Sequence, residues 1–218
     1  MSIDGYLDDA AQDRLLLSND ADFDRVDEVR ATCDAILVGS NTIRQDDPRL
    51  MIRSAARQQA RVARGEAPHP VKVTVTGSCD IDPAAKFFTL GDVEKLVYCP
   101  SGSVSPARAK LGAAATIIDG GEPVDLSYVA ADLAARGVRR LMVEGGGSMH
   151  TQFLTAGLVD ELQLVVAPFF VGEAGARRFV GEGHFPWHPG RRAVLAETRQ
   201  LGDVVLLRYA LSDRGGTP

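Results

Sequence analysis

Short runs of β-branched and aliphatic residues alternate with helix-forming stretches along most of this chain, and that alternation restricts it to an α/β architecture. Asp34-Ala-Ile-Leu-Val-Gly39 is a continuous apolar run closed by glycine, the pattern of a strand buried on both faces. Val71-Lys-Val-Thr-Val-Thr76 alternates apolar with polar residues, which predicts a strand with one face toward solvent or a ligand. Segments 95–99, 115–118, 140–144 and 161–167 read as further strands. Segments 193–199 and 204–211 flank Gly202-Asp203 and predict an antiparallel C-terminal hairpin. Helices are expected over 21–32 with Asp20 as N-cap, over 54–64 between Ser54 and Gly65, over 126–136 between Asp125 and Gly137, and over 148–156 before Gly157. The expected fold is a three-layer α/β sandwich with a mostly parallel central sheet and the hairpin as its antiparallel edge. Residues 173–192 carry Gly, Pro, His and Arg without a period and read as a long loop.

With 218 residues and no linker or repeat, the chain is expected to form a single domain, 1–218. Twenty-four Lys and Arg against 29 Asp and Glu leave a net charge of −5, which argues against a nucleic-acid partner, since phosphate neutralisation needs a dense basic face. No apolar run approaches the ~18 residues of a membrane span and no signal sequence opens the chain, so a membrane partner is not expected and a cytoplasmic location is. Cys33, Cys79 and Cys99 are odd in number and far apart, which reads as reduced, partly buried thiols. Neither they nor the four histidines show metal-ligand spacing, so no metal is expected.

The sharpest local feature is Val143-Glu-Gly-Gly-Gly-Ser148. A strand ends, three glycines let the backbone turn and approach a ligand closely, and a helix begins whose N-terminal dipole would favour a phosphate. A tight turn that merely needs small residues explains the same spacing. Glu144, at the mouth of that strand, reads either as a hydrogen-bond acceptor for a ligand or as an exposed rim residue. After Gly39, the segment 40–53 gathers Thr42, Arg44, Asp46, Asp47, Arg49 and Arg53 at a second strand's C-terminal edge. Asp46-Asp-Pro48 reads more readily as a turn than as a metal site, and Arg53 suits an anionic ligand because guanidinium pairs phosphate bidentately.

Together Ser2-Ile-Asp-Gly5, the 35–53 segment with Asp46-Asp-Pro48, Glu144-Gly-Gly-Gly147, and Leu158-Val-Asp-Glu-Leu162 followed by Ala167-Pro168 and Gly172 resemble the riboflavin-biosynthesis pyrimidine reductase family over nearly the whole chain. The resemblance implies a dihydrofolate reductase-like fold and an NADPH-dependent oxidoreductase. Its substrate would be 5-amino-6-(5-phosphoribosylamino)uracil or the undeaminated precursor, reduced at the sugar C1′ to the ribitylamino product. It implies that Thr42 and Asp46 contact NADPH and that the turn from Gly145 and Gly146 through Gly147, Ser148 and Met149 to Gln152 cradles its pyrophosphate. Arg30, Leu50, Arg53 and Glu144 would hold the phosphorylated pyrimidine, and Ser2 to Gly5 would line the nicotinamide side, with Asp4 and Glu144 as the catalytic candidates. Thr76 or Ser78 would meet the 2′-phosphate, with Lys72 a weaker candidate. The resemblance further implies a homodimer without a deaminase domain. It departs from the family's pattern in three places. A strand usual ahead of Ser2 is not in the sequence, so the expectation is a misassigned or truncated start that leaves the domain without it, or another element in its place. Arg14 and Leu16 replace a Ser and a Trp, and Gly77 stands where a Ser is frequent. Paralogous reduction of a pterin or other heterocycle, or a catalytically silent nucleotide-binding protein, are the alternatives.

Overall fold

The structure, a computed structural model, describes residues 1–9 and 15–215. The chain packs as two compact units, Val26–Met149 and Met1–Arg25 with His150–Pro218.

The Val26–Met149 unit is built on five parallel strands, β1 (Ala35–Gly39), β2 (Val71–Val75), β3 (Lys95–Cys99), β4 (Thr116–Asp119) and β5 (Leu141–Gly145), in the order β4-β3-β2-β1-β5. The helices that belong to it wholly or in part are α1 (Asp20–Ala31), α2 (Ser40–Asp46), α3 (Ala55–Ala63), α4 (Lys86–Thr89), α5 (Val104–Leu111), α6 (Leu126–Ala135) and α7 (Gly147–Thr155). Ser54 and Asp125 cap α3 and α6 as expected, each accepting a backbone N–H of its helix's first turn. The cap of α1 is Asn19 and not Asp20: the Asn19 Oδ1 takes the Asp22 N–H, and Asp20 is already helical. Both residue types cap well, so composition leaves the choice to backbone geometry. The short helices α2, α4 and α5 were not foreseen. Each is a turn or two long and held by packing, with Ile43, Phe87, Phe88, Ala107 and Leu111 buried.

One face of the sheet packs Ile36, Val38, Val97, Cys99 and Ile117 against those side chains and against Leu50, Cys79 and Ile81. On the opposite face the Tyr98 hydroxyl donates to Asp132 of α6, and Met149 of α7 closes on Gly39. Being covered on both faces changes the reading of β2. Its alternation predicts a half-exposed strand, yet Lys72 and Thr74 are both 0% exposed, because β2 is the middle strand and helices lie over its polar side too. The Lys72 ammonium donates to the carbonyls of Phe87 and Leu90 at the end of α4, where a cation completes the helix terminus. Burial, with the charge of Lys95 adding to it, pushes the Lys72 pKa down to about 8. Among the described residues the Thr74 hydroxyl has no hydrogen-bond partner. Thr74→Val is therefore expected to stabilise the protein by about 1 kcal/mol, because it removes an unsatisfied buried polar atom at constant shape. A lower urea midpoint for the variant would contradict this.

The second unit holds an antiparallel sheet, β6 (Glu161–Val166), β7 (Val194–Leu201) and β8 (Val204–Ala210), in the order β6-β8-β7. The β7–β8 hairpin turns at Gly202-Asp203 as expected, with Gly202 at φ +64°. It does not form an edge of the parallel sheet. Its ladder continues onto β6, which pairs with β8 from Glu161↔Ala210 to Val166↔Val205 and so belongs to a separate sheet. At the N-terminus, Met1 donates to the Val165 carbonyl and accepts from the Ala167 N–H, so the first residues run along the end of β6. Segment 173–192 is a loop, as expected, without helix or strand. It is tied down by the Leu7 N–H to Arg177, the Phe179 N–H to Gly5, and the Trp187 indole to Leu211.

Candidate functional site

Within the Val26–Met149 unit, β1 and β5 are adjacent and parallel, and the chain builds outward from them in opposite directions, through β2, β3 and β4 on one side and with β5 alone on the other. In an open α/β sheet this reversal of strand order leaves a crevice outside the strands' carboxyl ends. The turns leaving β1 and β5 meet there. A Cβ built on Gly146 would lie 3.2 Å from the Thr42 Oγ1, and one on Gly39 would lie 3.0 Å from the Met149 Cγ. A Cβ on Gly145 would meet nothing within 4 Å, and its φ of +153° is one that side chains rarely adopt. The Gly145–Gly146 peptide is cis. Helix α7 starts at Gly147, so its positive dipole end opens onto this space. The result is a bare backbone cradle that a side chain at Gly146 would fill, which fits the pyrophosphate of a dinucleotide.

Polar residues stand along one side of the cradle. Glu144, the last side chain of β5, receives the Arg30 guanidinium in a bidentate pair, Nε to Oε1 at 2.5 Å and Nη2 to Oε2 at 2.6 Å. Their side chains are 19% and 13% exposed. Burial works to lower the Arg30 pKa, but Glu144 outweighs it and holds Arg30 above its ordinary value. Arg30 also donates to the Met51 carbonyl. Asp27, one turn earlier on α1, takes the Arg53 N–H at 2.5 Å, the Ser54 N–H at 3.1 Å and the Arg57 Nη1 at 3.1 Å. Burial tends to raise its carboxyl, and these donors more than offset that, leaving it below the ordinary carboxylate range. The Arg53 side chain is 60% exposed. Leu50, at φ +47°, buries its side chain in the core, so a ligand would meet its backbone.

The residues expected at the 2′-phosphate separate into two groups. The Thr76 side chain is buried, with its hydroxyl accepting the Cys79 N–H, and Lys72 is committed to α4; neither faces solvent. Gly77 and Ser78 are exposed on the same turn. Asp46 is exposed at the end of α2, whereas its neighbour Asp47 pairs with Lys86 and takes that residue's N–H. In the other unit, Asp4 accepts from the Ser2 hydroxyl at 2.6 Å and from the N–H groups of Val171 and Gly172. The Ser2 hydroxyl leads these groups in holding its carboxyl below the ordinary range, so it is an ionised acceptor and a poor proton donor near neutral pH. Leu16 is exposed, and Arg14 lies outside the described residues.

A family model described as the RibD C-terminal domain matches residues 1–207. The chain belongs to the RibD C-terminal domain family. Two relatives of this RibD C-terminal domain carry the name 2,5-diamino-6-ribosylamino-4(3H)-pyrimidinone 5′-phosphate reductase. The Archaeoglobus fulgidus protein is 36% identical over 174 residues, covering 78% of this chain and 78% of that protein. The Methanothermobacter thermautotrophicus protein is 35% identical over 214 residues, covering 97% and 94%. Among solved structures, a pyrimidine reductase-like protein from Corynebacterium diphtheriae superposes with a TM-score of 0.80 at 22% identity, covering 96% of this chain and 88% of that one. That likeness supports the fold, and the expected α/β class stands.

Of the site residues expected from sequence, the RibD C-terminal domain brings Arg30, Glu144 and the Gly145–Gly146 turn to one strand end, with Thr42 against Gly146. Asp27 was missed. The only trace of it in the sequence is an acid four residues after Phe23 and three before Arg30, on the inward stripe of an amphipathic helix.

Proposed function

We propose that this chain is a nicotinamide-dependent reductase of 2,5-diamino-6-ribosylamino-4(3H)-pyrimidinone 5′-phosphate, acting before deamination, with NADPH as cofactor. The observation that carries this reading is the 35% identity over 97% of the chain to a relative of that name, together with a cradle at the strand-order reversal that suits a dinucleotide. When bound, the reduced nicotinamide would supply the hydride that, together with a proton from solvent, converts the ribosyl group into a ribityl group. The protein's contribution is placement. The Gly145-Gly146-Gly147 turn with Ser148 and Met149 holds the pyrophosphate at the start of α7, and Thr42 and Asp46 flank it from α2. Exposed Ser78, in place of Thr76 and Lys72, takes the 2′-phosphate. Arg53 binds the substrate phosphate, and the Arg30–Glu144 pair presents a fixed acceptor and donor edge to the pyrimidine, beside the Leu50 backbone. Asp4 holds the 1–7 segment to the 171–172 turn and moves no proton. The protein acts as a cytoplasmic homodimer.

Loss of reduced-nicotinamide absorbance, followed with the diaminopyrimidinone and its deaminated uracil counterpart and with NADPH and NADH in parallel, tests this reading. Turnover of the diaminopyrimidinone with NADPH is expected. Turnover confined to the uracil would overturn the order of steps, and tight cofactor binding without turnover on either would overturn the substrate.

A further inference from the structure

The segment from Asp47 to Ser54 crosses the C-terminal edge of the sheet without helix or strand and contains two non-glycine residues at positive φ, Asp47 and Leu50. Such a segment holds one conformation only if its side chains and amides are tied down. Its ties include the burial of Leu50 in the core, the Asp47 carboxylate on Lys86, the Arg30 guanidinium on the Met51 carbonyl, the Ile52 N–H on the His69 Nδ1, and the amides of Arg53 and Ser54 on Asp27. Asp27 divides its oxygens between two tasks. Its Oδ2 receives the Ser54 N–H and the Arg57 guanidinium, at the beginning of α3. Its Oδ1 receives the Arg53 N–H and also lies 3.8 Å from that residue's own Nε. One carboxylate oxygen thus faces both the backbone and the base of the guanidinium of a single arginine. A carboxylate with 2% side-chain exposure holds such a geometry because its desolvation is offset by three hydrogen-bond donors, one of them the charged Arg57 guanidinium.

We propose that Asp27 is the positioning residue for Arg53, holding its amide and standing at ion-pair distance from its Nε so that the exposed guanidinium is presented to the phosphate of the substrate. This rests on the reading of Arg53 as the phosphate ligand. Asp27 touches no ligand itself. Its effect passes through Arg53, and the same carboxylate stands one helical turn from Arg30, so it joins the two arginines expected at the substrate. An arginine on a loose backbone would have to be ordered at each binding event, whereas one whose amide is held and whose Nε is drawn toward a carboxylate loses less entropy when the phosphate arrives.

The test compares Asp27→Asn, Arg53→Ala and the double variant on the phosphorylated substrate and on its analogue lacking the phosphate. Asp27→Asn is expected to raise KM for the phosphorylated substrate by about tenfold, the scale of one charge-assisted bond, with kcat affected far less. The rise on the dephosphorylated analogue is expected to be several times smaller, and Asp27→Asn is expected to add little once Arg53 is alanine. Equal rises on both substrates, or full additivity in the double variant, would reduce Asp27 to a fold-stabilising residue and overturn the proposal. If Arg53→Ala raises KM while Asp27→Asn does not, Arg53 remains the phosphate ligand and the positioning role falls. If Arg53→Ala leaves KM at its wild-type value, the phosphate assignment falls, and the positioning role with it. Asp27→Ser, which places no amide donor against the Arg53 and Ser54 N–H groups, carries the same expectations should the Asn variant fail to fold by circular dichroism.

Discussion

Gly146→Leu is expected to weaken cofactor binding by about 100-fold, the loss of one or two charge-assisted hydrogen bonds to phosphate, while the protein still folds. The argument is steric. The Gly146 Cα already stands so close to Thr42 that an added Cβ would lie 3.2 Å from its hydroxyl, and the bulk of a leucine at this turn is expected to occupy the cradle. Stability should suffer little, because the neighbour within 4 Å of a Cβ at Gly146 is the hydroxyl of the short Thr42 side chain and not a packed core atom. Gly146→Ala, which asks Thr42 to yield by a few tenths of an ångström, should fall between wild type and Gly146→Leu. Titration of the reduced nicotinamide by its fluorescence, with a thermal melt of each variant, checks both halves. An unchanged dissociation constant would remove the turn from the cofactor site, and loss of the folded state would make Gly146 a structural residue.

Glu144→Ala should be the most damaging substitution in the site, with two separable consequences. Removing the carboxylate leaves the Arg30 guanidinium largely out of solvent and without its bidentate partner, which is expected to cost about 3 kcal/mol of stability, or roughly 6–12 °C in Tm for a chain of this size. Turnover should be lost as well, since the acceptor edge offered to the pyrimidine goes with it. The double variant Arg30→Met with Glu144→Leu distinguishes the two effects. Replacing both charges by apolar groups of similar size leaves no unpaired ion, so most of the stability should return while turnover stays absent. Recovery of turnover in the double variant would show that the pair serves the fold alone.

Much of the architecture was legible because it depends on local chemistry. The apolar run of β1, the hairpin turning at Gly202-Asp203, the Ser54 and Asp125 caps and the glycine turn after β5 are each dictated by residues close together in sequence, through side-chain periodicity, backbone permissiveness or a short hydrogen bond. The candidate turn at Glu144-Gly145-Gly146-Gly147 was found for the same reason. The short helices α2, α4 and α5 escaped because a helix of one or two turns is stabilised by what it packs on and not by its own propensity.

Lys72 and Thr76 show why residue type alone misplaces a functional group. Both are polar residues of the alternating 71–76 run, the pattern of a surface facing water or a ligand, yet both are buried: Lys72 because β2 became the middle strand of a sheet covered on each face, and Thr76 because the turn after β2 folds back onto its hydroxyl through the Cys79 N–H. The partner of Lys72 lies at the end of α4, 15 to 18 residues away, and that of Asp27 at the start of α3, 26 to 27 residues away. Composition and periodicity were enough to establish the α/β class, the strand-turn-helix that suits a phosphate, and which residue types stand at the strand ends. Which acid pairs with which arginine, which hydroxyl faces outward and which strands share a sheet were decided in three dimensions. Hydrogen bonds and ion pairs act over a few ångströms of space, and no pattern along the chain encodes a contact between residues that only folding makes neighbours.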